Sequence, residues 1–509
     1  MSIRFVPTPL ASALELPTPR EGGLDQALAD ALVPSPAREP ALPRLRDPGA
    51  FVVTTGQQPG LFTGPLYTIH KALSTAALAR VLERQWQRPV VPVFWVAGDD
   101  HDFAEASRVS WISGDGSIAG ASLPPRPSDA PLTPMYRLPL GPEIEGVLGA
   151  LATDLPHSEF RDGTLEWLRR HYRPSATIAG SFAAALAELV APLGIVCLDS
   201  THPAVKRAAA RHLVRALGLA RELDRDLEYR AEELRAAGMD PGVTVGDGAT
   251  LVMLEGVAGR DRLVLEDGAL ITRRGRERFD LAELQQIAAA EPERLSPNVL
   301  LRPVIESALL PTVAYLAGPG ELRYLALTPP VYERMRIPRQ LMLPRWSGLL
   351  VEPRVDRVLQ KFNIDLDDLL EPPGVLETKL VRSQLPTEAV RAIAELRAAI
   401  ETGYETLGRT AAEIDPTLTR PVQAARNQAL SGLGDIDRKL VQHLKRRQEI
   451  ELAQIAKART LVLPENKAQE RVLTVAPFLA RYGPGLMVEL TDAIEAWYAT
   501  SLEGALNPS

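Results

Sequence analysis

The chain has 509 residues, 45% of them apolar and only 5% aromatic, and a formal net charge of −7. At about 100 to 200 residues per domain it divides into roughly two to four units, and the composition suits a helix-rich α/β protein. The acidic balance argues against general nucleic-acid binding, which needs a basic surface to displace counterions. The longest apolar run, Val90 to Ala97, falls short of the about 20 residues a membrane span requires.

The opening MSIRFVPTPL has neither a sustained apolar stretch nor a small-residue cleavage site, so no signal peptide and a cytoplasmic location are expected. Residues Met1 to Ala50 are proline-rich and read as a wrapping arm with one helix near Asp25 to Leu32. Five runs, FVVTTGQ, VVPVFWVAGDD, GIVCLDS, TVAYLAGPG and QLMLPRWSG, are rich in apolar residues and end in glycine, aspartate or serine. They read as buried parallel strands ending in functional loops. Helical patterns at Leu66 to Leu82 and Ala204 to Leu217 separate some of them, which predicts βαβ units in a doubly wound sheet. Cys197 is the only cysteine. That excludes an internal disulfide framework and a zinc site of several thiolates, and its place in a strand makes it core rather than nucleophile.

Two segments, 113–177 and 220–296, interrupt the rhythm and read as insertions. In the second, Asp267-Gly268 between alternating apolar residues predicts a hairpin. From about Leu385, Val390, Ile393, Ile400, Tyr404, Leu407, Ala411 and Ile414 form a helical seam. DPTLTRP turns the chain, and Leu433, Ile436, Leu440 and Leu444 continue a second seam toward Leu461. The expected organisation is a core over 1–384, an antiparallel helical coiled coil over 385–461, and a segment over 462–509 that returns to the core. More apolar surface than one partner helix can cover predicts a homodimer through the coiled coil.

Three clusters carry chemistry. In TGQQPGLFTGPLYTIHKA, Gly56, Gln57, Gln58, Thr63 and Gly64 form a turn into a helix whose free N–H groups favour an anion; alternatively the glycines only permit a tight turn. Tyr67, His70, Lys71 and Ser74 then share one helix flank, able to stabilise charge on a phosphate or simply solvated. In VAGDDHDF, Asp99, Asp100, His101 and Asp102 crowd like charges, which calls for a cation, a substrate ammonium or a protonated His101. Asp102 also suits a helix N-cap. Lastly, Asn298 and Arg302 bracket an apolar run, Gly318 and Glu321 end a strand, and Arg345 has similar geometry. Arg302 is placed either to grip a carboxylate or phosphate, or to make an interdomain ion pair. Asn466, Gln469, Glu470 and Arg471 fit capping and surface solvation.

TGQQPGLFTGPLYTIHKA, VPVFWVAGDDHDF, NVLLRPVIESALLPTVAYLAGPGE and QERV, in this order, resemble the bacillithiol biosynthesis cysteine-adding enzymes, a family of cysteine ligases. The resemblance implies a Rossmann-like core with connecting insertions, a helical coiled-coil domain and a dimer. It also implies the attachment of cysteine to the amine of glucosaminyl malate. Two departures stand out: Asp99 replaces the usual glutamate and Gly320 the usual alanine. Such a ligation needs carboxylate activation, for which ATP/ADP binding is expected, with phosphates at Gly56 to Gly64 beside His70 and Lys71. Asp99, Asp100 and Asp102 would hold the substrate ammonium or Mg²⁺, and Asn466 and Arg471 offer a second nucleotide contact. The rival readings are a metal-dependent phosphohydrolase and a non-catalytic, nucleotide-responsive scaffold.

Overall fold

In the computed structural model, which describes residues 3–20 and 24–502, all five apolar runs become strands of one parallel sheet. They are β1 (Phe51–Gln57), β2 (Val90–Val96), β3 (Val196–Asp199), β4 (Thr312–Ala317) and β5 (Leu341–Pro344). Their order is β5-β4-β1-β2-β3. β1 is buried through Gly56 and β2 throughout, which is why these strands read as continuous apolar runs instead of alternating ones. Strand order changes direction at β1 and β4, and beyond the carboxyl ends of such a switch point lies the customary ligand crevice. The register sets Gly56 beside Trp95 and Gln57 beside Val96, so the glycine turn and the acidic segment leave the same edge of the sheet as neighbours.

Helix α1 (Leu66–Trp86) packs on β1 and β2 and against the helix Gly485–Ser501. Both of its faces are therefore covered, and His70, Lys71 and Ser74 are buried, not solvated. Ahead of it, Phe62, Thr63 and Gly64 take φ of +52°, +67° and +74°. Thr63 is β-branched and strained there. Its N–H donates to the Tyr172 hydroxyl (2.8 Å), and the Thr474 hydroxyl donates to the Phe62 carbonyl (3.0 Å), so tertiary bonds hold the turn.

The N-terminal arm holds a 3-10 turn, Gln26–Ala31, capped by Asp25, and a further helix, Arg38–Arg46, that sequence periodicity did not indicate. The second insertion builds an antiparallel sheet from Ala249–Gly256, Gly259–Glu266, Ala269–Thr272 and Arg278–Phe279, joined by Leu295–Pro297. Asp267 and Gly268 both adopt positive φ (+48° and +78°), the turn a two-residue hairpin requires, and Glu266 pairs with Ala269 across it.

Packing divides the chain into two units, one of Phe5–Leu350 with Gln469 onward and the other of Val351–Ala468 with the residues before Phe5. The sequence reading draws its boundaries at 385 and 461. The second unit is helical. Its longest elements, α2 (Thr387–Ile414) and α3 (Thr419–Arg447), form a hairpin, and α4 (Glu449–Val462) follows after a break at Gln448. Ala411, Leu433 and Val441 are buried within this unit, whereas Leu407, Ile414 and Ile436 remain more than half exposed. Among the described residues no helix is long and apolar enough to cross a membrane.

Candidate functional site

At the switch point the glycine turn of β1 meets the first turns of α1. Lys71 Nζ donates to the Gly56 carbonyl (2.8 Å) and to Gln57 Oε1 (2.9 Å), and forms an ion pair with Glu321. Burial draws the Lys71 ammonium down to about 8 despite the carboxylate beside it, so this lysine exchanges a proton near neutrality. Burial alone would raise Glu321, yet Lys71 and Arg302 together hold it below its ordinary value. Glu321 also accepts from the Gly318 N–H (2.8 Å) and the Tyr315 hydroxyl (3.0 Å), which ties the start of the helix Pro319–Leu325 to the end of β4. Arg302 donates to the Tyr315 hydroxyl (2.7 Å) and lies over its ring. A Cβ at Gly56 would come within 2.7 Å of the Arg302 guanidinium, so the glycine allows the guanidinium its close approach to β1. Glu306, fully buried beside Arg302, is pushed up to about 7 by burial.

On the adjoining flank of α1, His70 Nδ1 lies 2.9 Å from Glu470 Oε2. Arg345 grips the same carboxylate with two bonds of 2.8 and 2.6 Å, and Trp346 packs edge-on against the imidazole. Hydrogen bonds from His70 and Arg345 hold Glu470 well below the usual carboxylate range against the opposing effect of burial. Burial also lowers the proton affinity of His70, which keeps it neutral with Nδ1–H donated to Glu470. Nε2 is then a lone-pair acceptor, and it is buried without a partner. Gln58 Nε2 and the Thr68 hydroxyl are likewise buried and unpartnered. Such orphaned groups suit a ligand that supplies a complementary donor and acceptors.

Several N–H groups of the helix start expected to form a phosphate cradle are already used within the protein. The N–H of Leu66 donates to the Leu473 carbonyl (2.8 Å), that of Thr68 to Pro65 (2.9 Å), and that of Gly64 to Leu61 (2.8 Å). Thr63, as above, is occupied by Tyr172. The N–H groups of Thr63, Gly64, Leu66 and Thr68 are thus taken, two of them by remote segments.

The acidic tip of β2 is compensated from remote segments. Asp99 pairs with the buried Lys206 at 2.5 Å. Asp102 caps the short helix Phe103–Ala106 by accepting from the Glu105 N–H (3.0 Å), and Asp100 accepts from the Asp102 N–H (2.8 Å). His101 Nδ1 accepts from Arg260 (3.1 Å), and burial together with that guanidinium lowers its proton affinity. A protonated His101 is therefore not what balances the carboxylates. Among the described residues no three histidine, cysteine, aspartate or glutamate side chains are grouped as metal ligands. Tyr67 bridges the two tips, accepting from Gln57 (3.3 Å) and donating to Glu105 (3.0 Å).

Asn298 caps the turn before the helix Arg302–Leu309 through Leu300 and Leu301 N–H (3.0 Å each), a structural role. Arg471 is exposed, near Gly320. Asn466 lies in the helical unit, in a turn at φ +56°. Tyr315, Glu306, Lys206 and Arg260 were not singled out by sequence, since each is one polar residue in an apolar or ordinary helical context. Glu470 had a visible signal in QERV but read as a surface residue.

Residues 25–346 match the family described as "Bacillithiol biosynthesis BshC, N-terminal Rossmann-like domain", and residues 348–498 match its "C-terminal coiled-coil domain". A "Putative cysteine ligase BshC" from Koribacter versatilis is 35% identical over 491 residues, covering 95% of this chain and 87% of the relative. The protein of the same name from Salinibacter ruber is 34% identical, covering 88% and 82% respectively. One from Solibacter usitatus is 31% identical over 95% of this chain and 89% of its own. With its Rossmann-like sheet, its helical second unit and these relatives, the chain belongs to the bacillithiol biosynthesis BshC family.

Proposed function

We propose that this protein is a cysteine ligase that joins the carboxylate of cysteine to the amine of glucosaminyl malate in bacillithiol biosynthesis. The observation that carries the reading is the side-by-side burial of Lys71 and His70 at the sheet's switch point, each against its own carboxylate. Amide formation from a free carboxylate is uphill in water, so an activated acyl donor is required, and ATP is the co-substrate we assign to supply it. The N–H groups of Gly64, Leu66 and Thr68 are already taken within the protein, so its phosphates are not assigned to them. In this reading Lys71, as the ammonium, stabilises charge that grows on the acyl group, and Gln58 donates to the bound substrate. His70 Nε2 takes the proton that the attacking amine must lose, while Glu470 and Arg345 fix the imidazole's tautomer and position. Asp100 holds the substrate ammonium and accepts the proton it sheds before attack, the phosphate or adenylate leaves from the acyl carbon as the amide forms, and Asp102 shapes the loop as a cap. The exposed apolar residues of α2 and α3 pair two copies into a homodimer, and an unchanged molar mass after deletion of 386–460 would dismiss that role.

Purified protein with ATP, Mg²⁺, cysteine and glucosaminyl malate should give the thiol product by mass spectrometry only when every component is present. Phosphate release that does not depend on cysteine would replace this reading with phosphohydrolysis, and tight ligand binding without turnover would replace it with a scaffold.

A further inference from the structure

On the inserted antiparallel sheet, Arg260, Arg262 and Arg273 gather positive charge that makes no ion pair with an acid among the described residues. Arg260 and Arg262 lie two residues apart on the strand Gly259–Glu266 and so share one face. Leu263 pairs with Thr272, and the Arg273 N–H donates to the Arg262 carbonyl (2.8 Å), which sets Arg262 and Arg273 directly opposite each other. Like charges in that position destabilise a sheet. The acid directly across from Arg260 is Glu255, but its carboxylate accepts from the Tyr136 hydroxyl (2.9 Å) and Arg137 (2.7 Å) instead. Arg260 is 8% exposed, and its guanidinium donates only to uncharged groups: Ser296 Oγ (2.8 Å), the Pro297 carbonyl (2.8 Å) and His101 Nδ1 (3.1 Å). Neither Arg262 nor Arg273 has an ion pair among the described residues. The repulsion is felt at Arg262, whose proton affinity is lowered by burial and then by Arg273 and Arg260.

Through His101 this face adjoins the acidic tip of β2 at the carboxyl edge of the parallel sheet. We propose that Arg260, Arg262 and Arg273 bind the carboxylates of the amine-bearing substrate, holding its acidic end while the amine is directed along the Asp100 side of the loop. This assignment rests on the ligase reading for the identity of that substrate, and on the uncompensated arginines for the chemistry. Guanidinium groups suit carboxylates because their planar forks match them in paired hydrogen bonds.

The test is calorimetric titration of the full-length protein with L-malate, which needs no turnover. Wild type should bind saturably and more weakly as salt rises, and Arg262→Gln should bind at least tenfold more weakly. Among the described residues Arg262 makes no side-chain hydrogen bond, so the same variant should unfold at an equal or higher temperature. In a ligation assay its KM for glucosaminyl malate should rise about as much, with KM for cysteine unchanged. Absence of saturable malate binding, equal affinity in the variant, or preference for inorganic phosphate over malate would each overturn the proposal. If wild-type protein binds malate in this way yet ligates nothing, the ligase reading fails and the anion site stands.

Discussion

The tips of β1 and β2 leave the sheet side by side, and both looked like charged motifs, yet they solve the problem of charge differently. Around β1, Lys71, His70, Arg302 and Arg345 meet Glu321, Glu306 and Glu470 in a buried network that still leaves His70 Nε2 and Gln58 Nε2 without partners. Around β2, Asp99 is neutralised by Lys206, and Asp102 and Asp100 spend oxygens on backbone N–H groups. A dense run of charge in a sequence is therefore weaker evidence of chemistry than a sparse set of ionisable groups that the fold buries with atoms left over.

The largest effect that would break this contrast lies at Lys71. Lys71→Met should lower kcat/KM by about 100- to 1000-fold, the scale of losing one preorganised electrostatic contact. It should also cost about 1.5 to 3 kcal/mol in urea unfolding, because Glu321 loses its nearest cation and keeps only Arg302 at 3.7 Å. Adding Glu321→Gln should restore much of the stability but none of the activity, which separates the two losses.

Next comes Glu470→Gln. The amide can accept from His70 but no longer draws its proton and orientation as an anion does, so kcat should fall about 10- to 100-fold with KM nearly constant, a range seen for partners that orient catalytic groups. Nitrogen chemical shifts of His70 should move from the Nδ1–H tautomer toward a mixture. An unchanged tautomer would contradict the positioning role.

A pH profile sharpens the contrast further. Lys71 is drawn down to about 8 by burial, so if its charged form works, kcat/KM falls as pH rises through about 8. Lys71→Arg should abolish that limb, whatever its absolute rate. For Glu306 the readout is stability: burial raises it to about 7, so its protonated form is favoured by the fold and stability is lost as pH rises from the ordinary carboxyl range through about 7. Glu306→Gln should flatten that slope in unfolding measured between pH 5 and 8. The smallest effect belongs to Asp102→Ala, about 1 kcal/mol for a lost helix cap.

Much of the fold was legible because burial on both faces writes itself into a strand. FVVTTGQ and VVPVFWV, like the hairpin at Asp267-Gly268, needed no tertiary information. The helical seam was equally clear over α2, but the break at Gln448 was not, since neither Gly nor Pro marks it. The sequence pointed to His70 and Lys71 by their helix flank, to Arg302 beside an apolar run and to Glu321 at a strand end, and the fold joins Lys71, Arg302 and Glu321 in one ion-pair cluster. Their partners were invisible: Glu470 lies 400 residues from His70, and Lys206 lies 107 residues from Asp99. The helix start misled for a related reason, because the carbonyl of Leu473 that fills the Leu66 N–H comes from the far end of the chain.

The most direct measurement is the single-turnover rate of cysteine ligation at saturating substrates in Lys71→Met and Asp102→Ala, prepared and assayed in parallel with wild type. At least a hundredfold loss is expected in the first and a rate within about threefold of wild type in the second. Comparable losses in both, or a greater loss in Asp102→Ala, would contradict the assignment of the chemistry to the cluster beneath β1.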